Sequence, residues 1–509
     1  MSAFEPSRSR VPTGTDASPS RRYRLFAGLA ALSLMAAACG GGSGTSAPGS
    51  QAAGSPDAGG SPAGSPPLGG SPAASALPTA AQPSPAELAE GGPEIATTIA
   101  APEAGADIEI WNHFTGPDGA FFRGLVDRFN EEQQQCRANV RVQLGEVFNQ
   151  QVVSAAVGQQ LPHVLAGGYD RIPFLASEGV LSPIDDLAEQ AGFSAETFPE
   201  AIWNAGVYNG QRYGIPLDTH PAVFYYNKAL FDEAGLDPES PPTDQESFEA
   251  AITAISEQTE ADGYQLVGSG RGGPFLVGLQ FAALFYQGGG EWTNGEFTEA
   301  TYNTEAGVQA AEYLGRLATE LEVPVVESDQ EIAAFAAGEN AMVLSGIWES
   351  TRYAEALGED LGIGLFPAIF GDGTWGGSHQ LMTTTRVEES EEARQCSYFF
   401  IDWLSANSYN WAEGGQVPAR NEVREAILDA DPADLNATLA IIQQVAPIAE
   451  TVQFLPTIPS GGDLLFGGQG AGESALQVVN ATKGAQEVLD ESVQFYTQRL
   501  AQDKQDYGY

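Results

Sequence analysis

Lysine is nearly missing from this chain: Lys228, Lys483 and Lys504 are the only three in 509 residues, and the other cations are arginines. Acids outnumber bases 67 to 22, for a formal net charge of -45. A surface so poor in positive charge repels phosphate backbones and anionic headgroups, which excludes electrostatic binding to nucleic acid or to a bare membrane surface. The plain reading of the acidity is a solvated surface that keeps an exported chain soluble. Histidine occurs four times, at His113, His163, His220 and His379, and cysteine three times. No HxxxH or CxxC spacing joins them, so local spacing gives no support for zinc. Neutral histidine as a hydrogen-bond partner is the better reading, and no metal or cofactor is expected. No GxSxG nucleophile motif occurs, and acids are too plentiful for any carboxylate pair to mark a glycosidase. No internal repeat is present, and past the N-terminal segment no apolar run is long enough to cross a bilayer.

What is present starts with that N-terminal segment. Arg21, Arg22 and Arg24 precede an apolar run from Leu25 to Met35, then Ala36-Ala37-Ala38-Cys39 and a glycine run. A basic region, a short apolar stretch and small residues before a cut read as an export signal over residues 1–38. Cys39 at the cut resembles the lipobox of bacterial lipoproteins, in which the cysteine becomes the lipidated first residue. An aliphatic residue is more usual where Ala36 stands, and the alternative is an ordinary secretory signal with an incidental cysteine. From 39 to 105 the chain is Gly, Ser, Pro and Ala with repeated GSP units, a composition that buries too little to fold and reads as a tether. The remaining length suits two domains, and 42% hydrophobic residues supply a sizeable core.

Beyond the tether, Ile108 and Ile110 alternate with polar residues. Phe121, Phe122, Leu125, Val126 and Phe129 then recur at helical spacing, and Val140, Val142 and Leu144 alternate again. Residues 150–160 read as helix, and His163–Ala166 as a short strand ending at Gly167-Gly168. Strand, helix, strand, helix, strand is the signature of a parallel sheet with helices on its faces. Ligands in such sheets bind beyond the carboxyl ends of the strands, here the loops 112–118 and 167–171. Further helices are predicted at 245–257, 304–320, 391–405 and 484–500. Buried strands are predicted in GENAMVLSGIW and LGIGLFP. Cys136 and Cys396 remain outside the signal, and an even pair in an exported chain suggests one disulfide; two buried free thiols are the alternative.

The stretch YGIPLDTHPAVFYYNKALFDEAGLDPESPPT at 213–243 resembles the hinge-and-helix signature of the family 1 extracellular solute-binding proteins, the group that includes maltose-binding and glycerol-3-phosphate-binding proteins. WNHFTGPDG, GVLSPIDDL, GENAMVLSGIW and GGQVPAR follow the family's order, so the resemblance covers most of residues 107–500. It implies an α/β, two-lobed periplasmic-binding-protein-like fold of type II, with a ligand cleft between lobes. Three inter-lobe crossings would fall near Asp218–Pro221, Gly364–Pro367 and Gln416–Arg420. Lobe 1 would be 107–217 plus 368–415, and lobe 2 would be 222–363 plus 421–509. Cys136 and Cys396 both fall in lobe 1 by this alignment.

The resemblance also implies function: capture of a mono- or oligosaccharide by lobe closure and delivery to the permease of an ATP-driven importer, as a monomer tied to the membrane only through its lipid. A sugar needs polar side chains for its hydroxyls and aromatic planes for its ring faces. The candidates are His113 and Thr115 after the first strand, Asp170 and Arg171 after Gly167-Gly168, and Thr219 and His220 on the first crossing. Trp348 follows a buried strand, Trp375, Gly377, Ser378 and His379 follow the second crossing, and Phe275 lies in SGRGGPF. For each, a structural role competes: a turn for Thr115, a surface salt bridge for Asp170 and Arg171, core packing for Trp348. Glycerol-3-phosphate is the rival ligand. The C-terminal segment IPSGGDLLFGGQGAGESALQVV lacks the Arg or Lys that phosphate recognition prefers, leaving Arg171 or Arg271 as substitutes. A secreted carbohydrate-active enzyme is the rival class.

Overall fold

The computed structural model describes residues 81–88, 92–270, 272–449 and 451–509, all within one compact unit, Ser75–Tyr509. The export signal, Cys39 and Arg271 lie outside the described residues.

The alternation at Ile108 and Ile110 becomes the strand Asp107–Asn112, which pairs in parallel with Arg137–Val142 on one side and Val164–Gly168 on the other. Between the first two, the helix Pro117–Glu132 buries Phe122, Leu125, Val126 and Phe129, the stripe that its spacing predicts. Arg137–Val142 departs from expectation: only Ala138 is buried, and Val142 and Leu144 are exposed. It is the sheet's edge, so nothing packs over its outer side. His379–Thr384 adds to this sheet antiparallel to Val164–Gly168, and carries Leu181–Ser182 and Gly214–Pro216 on its far side. Cys136, at the foot of the edge strand, is joined by a disulfide to Cys396 of the helix Glu391–Ala406, their Cα atoms 5.5 Å apart.

The second lobe is built on Asp218–Asn227, ten consecutive buried residues. Side chains alternate across a strand. Ala222, Phe224 and Tyr226 enter a large core with the helices Gly273–Gln287 and Glu305–Thr319. Val223 and Tyr225 enter a second core with Phe335, Tyr353 and Ile442. Met342–Gly346 and Leu361–Gly364 flank its later half, both antiparallel. The latter strand is only partly buried, and Leu365 beyond it is 53% exposed.

The first half of the same strand is the junction. His220 and Pro221 pair with Gly377 and Gly376, and Asp218 and Thr219 with Pro418 and Val417. The second crossing therefore falls at 375–379, later than the Gly364–Pro367 that the resemblance implied. The reason is packing: Phe366, Ile369 and Trp375 are buried in the second lobe, and the Gln287 amide binds Pro367 O and the N–H groups of Ile369 and Phe370. Lobe 1 resumes near His379, not at 368.

The tether also ends sooner than its composition implies. Leu88 and Ile99 are buried in the core of lobe 1, and the N–H groups of Thr98 and Ile99 donate to the Asp402 carboxylate. A few apolar residues in a Gly/Pro-rich stretch suffice to dock its end against the helix Glu391–Ala406. Among the described residues no helix is long and apolar enough to cross a membrane.

Candidate functional site

Where the crossings meet, Asp218 is fully buried and accepts four N–H groups. His220 Nδ1 lies 2.9 Å from its Oδ1 and His379 Nδ1 2.7 Å from its Oδ2, while the His379 amide and Trp411 Nε1 donate at 2.9 and 2.7 Å. Burial pushes this carboxyl upward, but the charge and hydrogen bonds of the two histidines outweigh it and hold the carboxyl well below its usual range. The His220 and His379 rings stack, 4.1 Å between centroids. The His113 ring lies 5.3 Å from His379, carried by the loop that follows Asp107–Asn112. Burial, then the nearby charge of Arg171, holds His113 well below the ordinary imidazole range. Burial also lowers His220, against the pull of Asp218.

An aromatic wall faces them from lobe 2. Trp348 lies 6.0 Å and Trp375 5.8 Å from His220. Phe275 lies 6.1 Å from Trp348, and Phe466 lies 5.0 Å from Phe275 and 5.8 Å from Trp375. Trp375 is buried, Trp348 half-buried, and Phe275 is 37% exposed. The floor is acidic. Asp118 is buried, accepts from Gln416 Nε2 at 3.0 Å, and is pushed up to about 7 chiefly by burial. Glu349, also raised by burial, pairs with Arg352 at 2.8 Å.

The lobes touch around this cleft. The Tyr169 hydroxyl accepts from Leu455 N at 2.6 Å. Asp170 lies so close to Gly462 that a Cβ there would come within 2.4 Å of Oδ2, and a Cβ on Gly116 would sit 3.7 Å from Trp348.

His113, His220, Trp348, Trp375, Gly377 and His379 are thus brought to one place from distant segments. Gly377 runs directly beside His220, where any Cβ would meet Nε2 at 2.2 Å. Other candidates sit differently. Ser378 is fully buried with its hydroxyl accepting from Gln380 Nε2, because alternation along the crossing turns it inward. Thr219 is buried in register with Val417, on the opposite side of the strand from Asp218 and His220. Thr115 is exposed at the lip. Arg171 binds Asn149 Oδ1 and Gly145 O within lobe 1, its guanidinium 5.0 Å from the Phe148 ring. Sequence reading missed Asp218, Asp118, Glu349, Trp411, Gln416 and Phe466. Asp218 stood inside the hinge signature as the residue two before His220, which is the signal that was available.

Two α/β lobes joined by three crossings, with a cleft of aromatic planes and polar groups at the junction, define a solute-binding fold. The chain belongs to the bacterial extracellular solute-binding protein family, whose model matches residues 115–411. Its relatives include the sn-glycerol-3-phosphate-binding periplasmic protein UgpB of Rhizobium meliloti, 29% identical over 174 residues, 31% of this chain and 39% of that protein. The arabinooligosaccharide-binding protein of Halalkalibacterium halodurans is 29% identical over 157 residues, 30% of this chain and 34% of that protein. The matches thus span well under half the length of these relatives. Among solved structures, the GacH receptor of Streptomyces glaucescens, determined unliganded and with acarbose, aligns with a TM-score of 0.68 at 22% identity, over 79% of this chain and all of that one. The maltotriose-binding protein of Thermus thermophilus aligns with a TM-score of 0.62 at 19% identity, over 77% of this chain and all of that one. Both have the same fold as this chain.

Proposed function

We propose that this protein is the extracytoplasmic binding component of an ATP-driven importer and that its ligand is a mono- or oligosaccharide held between the lobes. The observation that carries this reading is the pairing, in one cleft, of an aromatic wall (Phe275, Trp348, Trp375, Phe466) with imidazoles and carboxyls. Ring faces stack on the first and hydroxyls bond to the second. Asp170 supplies a further acceptor from lobe 1. That its family and its structural neighbours are binding proteins supports binding as its role. The chain is exported by residues 1–38, anchored through lipidated Cys39, and spaced from the membrane by the tether, acting as a monomer that meets the permease with both lobes.

Relatives named for sn-glycerol-3-phosphate favour a second reading, a phosphorylated polyol. Against it, the C-terminal segment IPSGGDLLFGGQGAGESALQVV carries no Arg or Lys to receive a phosphate. The deciding experiment is a thermal-shift screen of mono- and oligosaccharides beside glycerol-3-phosphate. A binder at 100-fold excess over Kd stabilises the folded state by ~2.7 kcal/mol. Upward shifts for sugars alone support the first reading. A shift for glycerol-3-phosphate alone replaces it with the second, and hydrolysis of a chromogenic glycoside revives the enzyme class.

A further inference from the structure

We propose that closing the lobes takes up a proton on Asp118, at the floor of the cleft, so that acid favours the closed, ligand-holding state. This rests on the binding-protein reading in one respect, that the lobes open and close, and it does not depend on which ligand they hold.

The geometry begins at a glycine. Gly116 precedes the helix Pro117–Glu132 of lobe 1, and Trp348 and Glu349 lie in the short turn Ile347–Glu349 of lobe 2. A Cβ on Gly116 would sit 3.1 Å from Asp118 Oδ1, 3.7 Å from Trp348 Cδ1 and 3.9 Å from Glu349 Oε1. One carboxyl from each lobe therefore flanks the same residue, and both acids are only 5% exposed. The lobes meet here acid to acid.

The two acids have different partners. Glu349 is paired with Arg352 of its own lobe at 2.8 Å, with the charge of Asp329 opposing. Asp118 has no paired cation among the described residues. Its oxygens accept from the Gly119 amide at 2.8 Å and from Gln416 Nε2, on the third crossing, at 3.0 Å. The charges that act on it from other elements are Glu349 and Asp218, and both favour its protonated form. The nearby imidazole, His220, is itself lowered by burial. A carboxylate buried without a counter-ion is costly and neutralises instead. Burial, helped by those two charges and opposed by the Gln416 and Gly119 hydrogen bonds, accordingly raises Asp118 to about 7.

Opening the lobes draws Trp348 and Glu349 away from Gly116 and admits water to Asp118. There it stands in the first turn of its helix, where the helix dipole favours the charged form. The open state then releases the proton near the ordinary 3.8, and the closed state near 7. Between those values closure binds a proton, and the closed-to-open ratio rises roughly tenfold for each pH unit of acidification. Above about 7 neither state holds the proton and the dependence ends.

The test is double electron–electron resonance on the ligand-free Cys39→Ser chain, with spin labels on Glu189→Cys of lobe 1 and Glu312→Cys of lobe 2, both exposed helix positions. Cys136 and Cys396 are held in their disulfide and take no label. From about pH 7.5 to about pH 5.5, the ratio of the short to the long inter-lobe distance is expected to rise at least ~10-fold. Asp118→Asn, which is neutral at every pH, is expected to keep that ratio at its acid level throughout. A ratio that does not change in the unsubstituted Asp118 chain overturns the proposal, and so does a change that Asp118→Asn retains. If Asp118→Asn does not fold, Glu349→Gln decides: without the facing charge the ratio is expected to rise at a lower pH, and an unmoved midpoint overturns the proposal. Sugar binding is measured separately at constant pH. A chain that closes in acid and binds no sugar keeps this proposal and loses the carbohydrate reading; sugar binding without the pH response does the reverse.

Discussion

At the scale of single residues, burial and position give Trp348 and His163 opposite roles. Trp348 is half-buried, packs against the core of lobe 2, and meets both His220 and Phe275 at the cleft. An aromatic anchor of this kind carries much of a binding energy. Trp348→Ala is expected to weaken sugar binding by ~2 kcal/mol or more, with a small change in melting temperature. Calorimetry and a thermal melt on the same variant check this, and a normal isotherm would remove Trp348 from the site. His163 is no cleft residue. Its Nδ1 accepts from the Glu109 amide at 2.9 Å, and burial, then the charge of Arg386, lowers it from 6.5 to about 4, with Glu109 opposing. The folded state therefore binds this proton more weakly than the unfolded chain. The associated stability is intact above pH 6.5 and is lost as pH falls toward 4, a term on the order of 3 kcal/mol. His163→Asn, which keeps an acceptor and cannot titrate, is expected to flatten that part of a stability-versus-pH curve from urea melts.

At the scale of elements, the helices and central strands were legible because each buries a face at its own period. Gln245–Gln258 and Glu391–Ala406 fall within a residue or two of the predicted 245–257 and 391–405, and Pro117–Glu132 carries the predicted apolar stripe. Arg137–Val142 misled because alternation in sequence does not tell an edge strand from a central one. The path after Leu361–Gly364 misled because a proline reads as a stop, whereas Gln287, 80 residues before Pro367, holds the chain against lobe 2. The disulfide joins the edge strand's foot to the helix Glu391–Ala406, closing a loop of 260 residues. Replacing Cys136 and Cys396 together by serine is expected to lower stability by ~2–4 kcal/mol, read as a lower denaturation midpoint.

At the scale of the molecule, the two lobes communicate beyond the hinge. The last helix, Ala485–Tyr507, belongs to the lobe 2 core, yet Tyr507 donates to Glu178 of lobe 1 at 2.7 Å and Tyr509 packs against cores of both lobes. This contact bridges the two lobes. Deleting residues 507–509 is expected to speed ligand release several-fold in stopped-flow displacement, with an unchanged fold by circular dichroism. An unchanged release rate would show that the contact carries no closure energy. For the anchor, Cys39→Ser is expected to move the protein from the membrane fraction to the soluble one; retention on membranes with bound lipid would refute lipidation there.

The sequence by itself determined the class of molecule. The charge argued against nucleic acid, the periodicities set an α/β core, and the run from Tyr213 to Thr243 carried the family's hinge signature. The ends of the predicted strands placed His113 and Trp348 in loops, and the family resemblance implied that His220 lies on one crossing and His379 after another. Only the tertiary structure decided which of those residues meet. Asp218 lies in the hinge signature two residues before His220, but nothing local shows that two histidines and a tryptophan converge on it. Its role arises because the junction strand, His379–Thr384 and the helix Ser408–Glu413 bring His220, His379 and Trp411 to one carboxylate across sequence separations of 2, 161 and 193 residues. Hydrogen-bond geometry among such distant groups is fixed by strand register and by the direction in which each side chain leaves the sheet. Neither is written in composition or spacing.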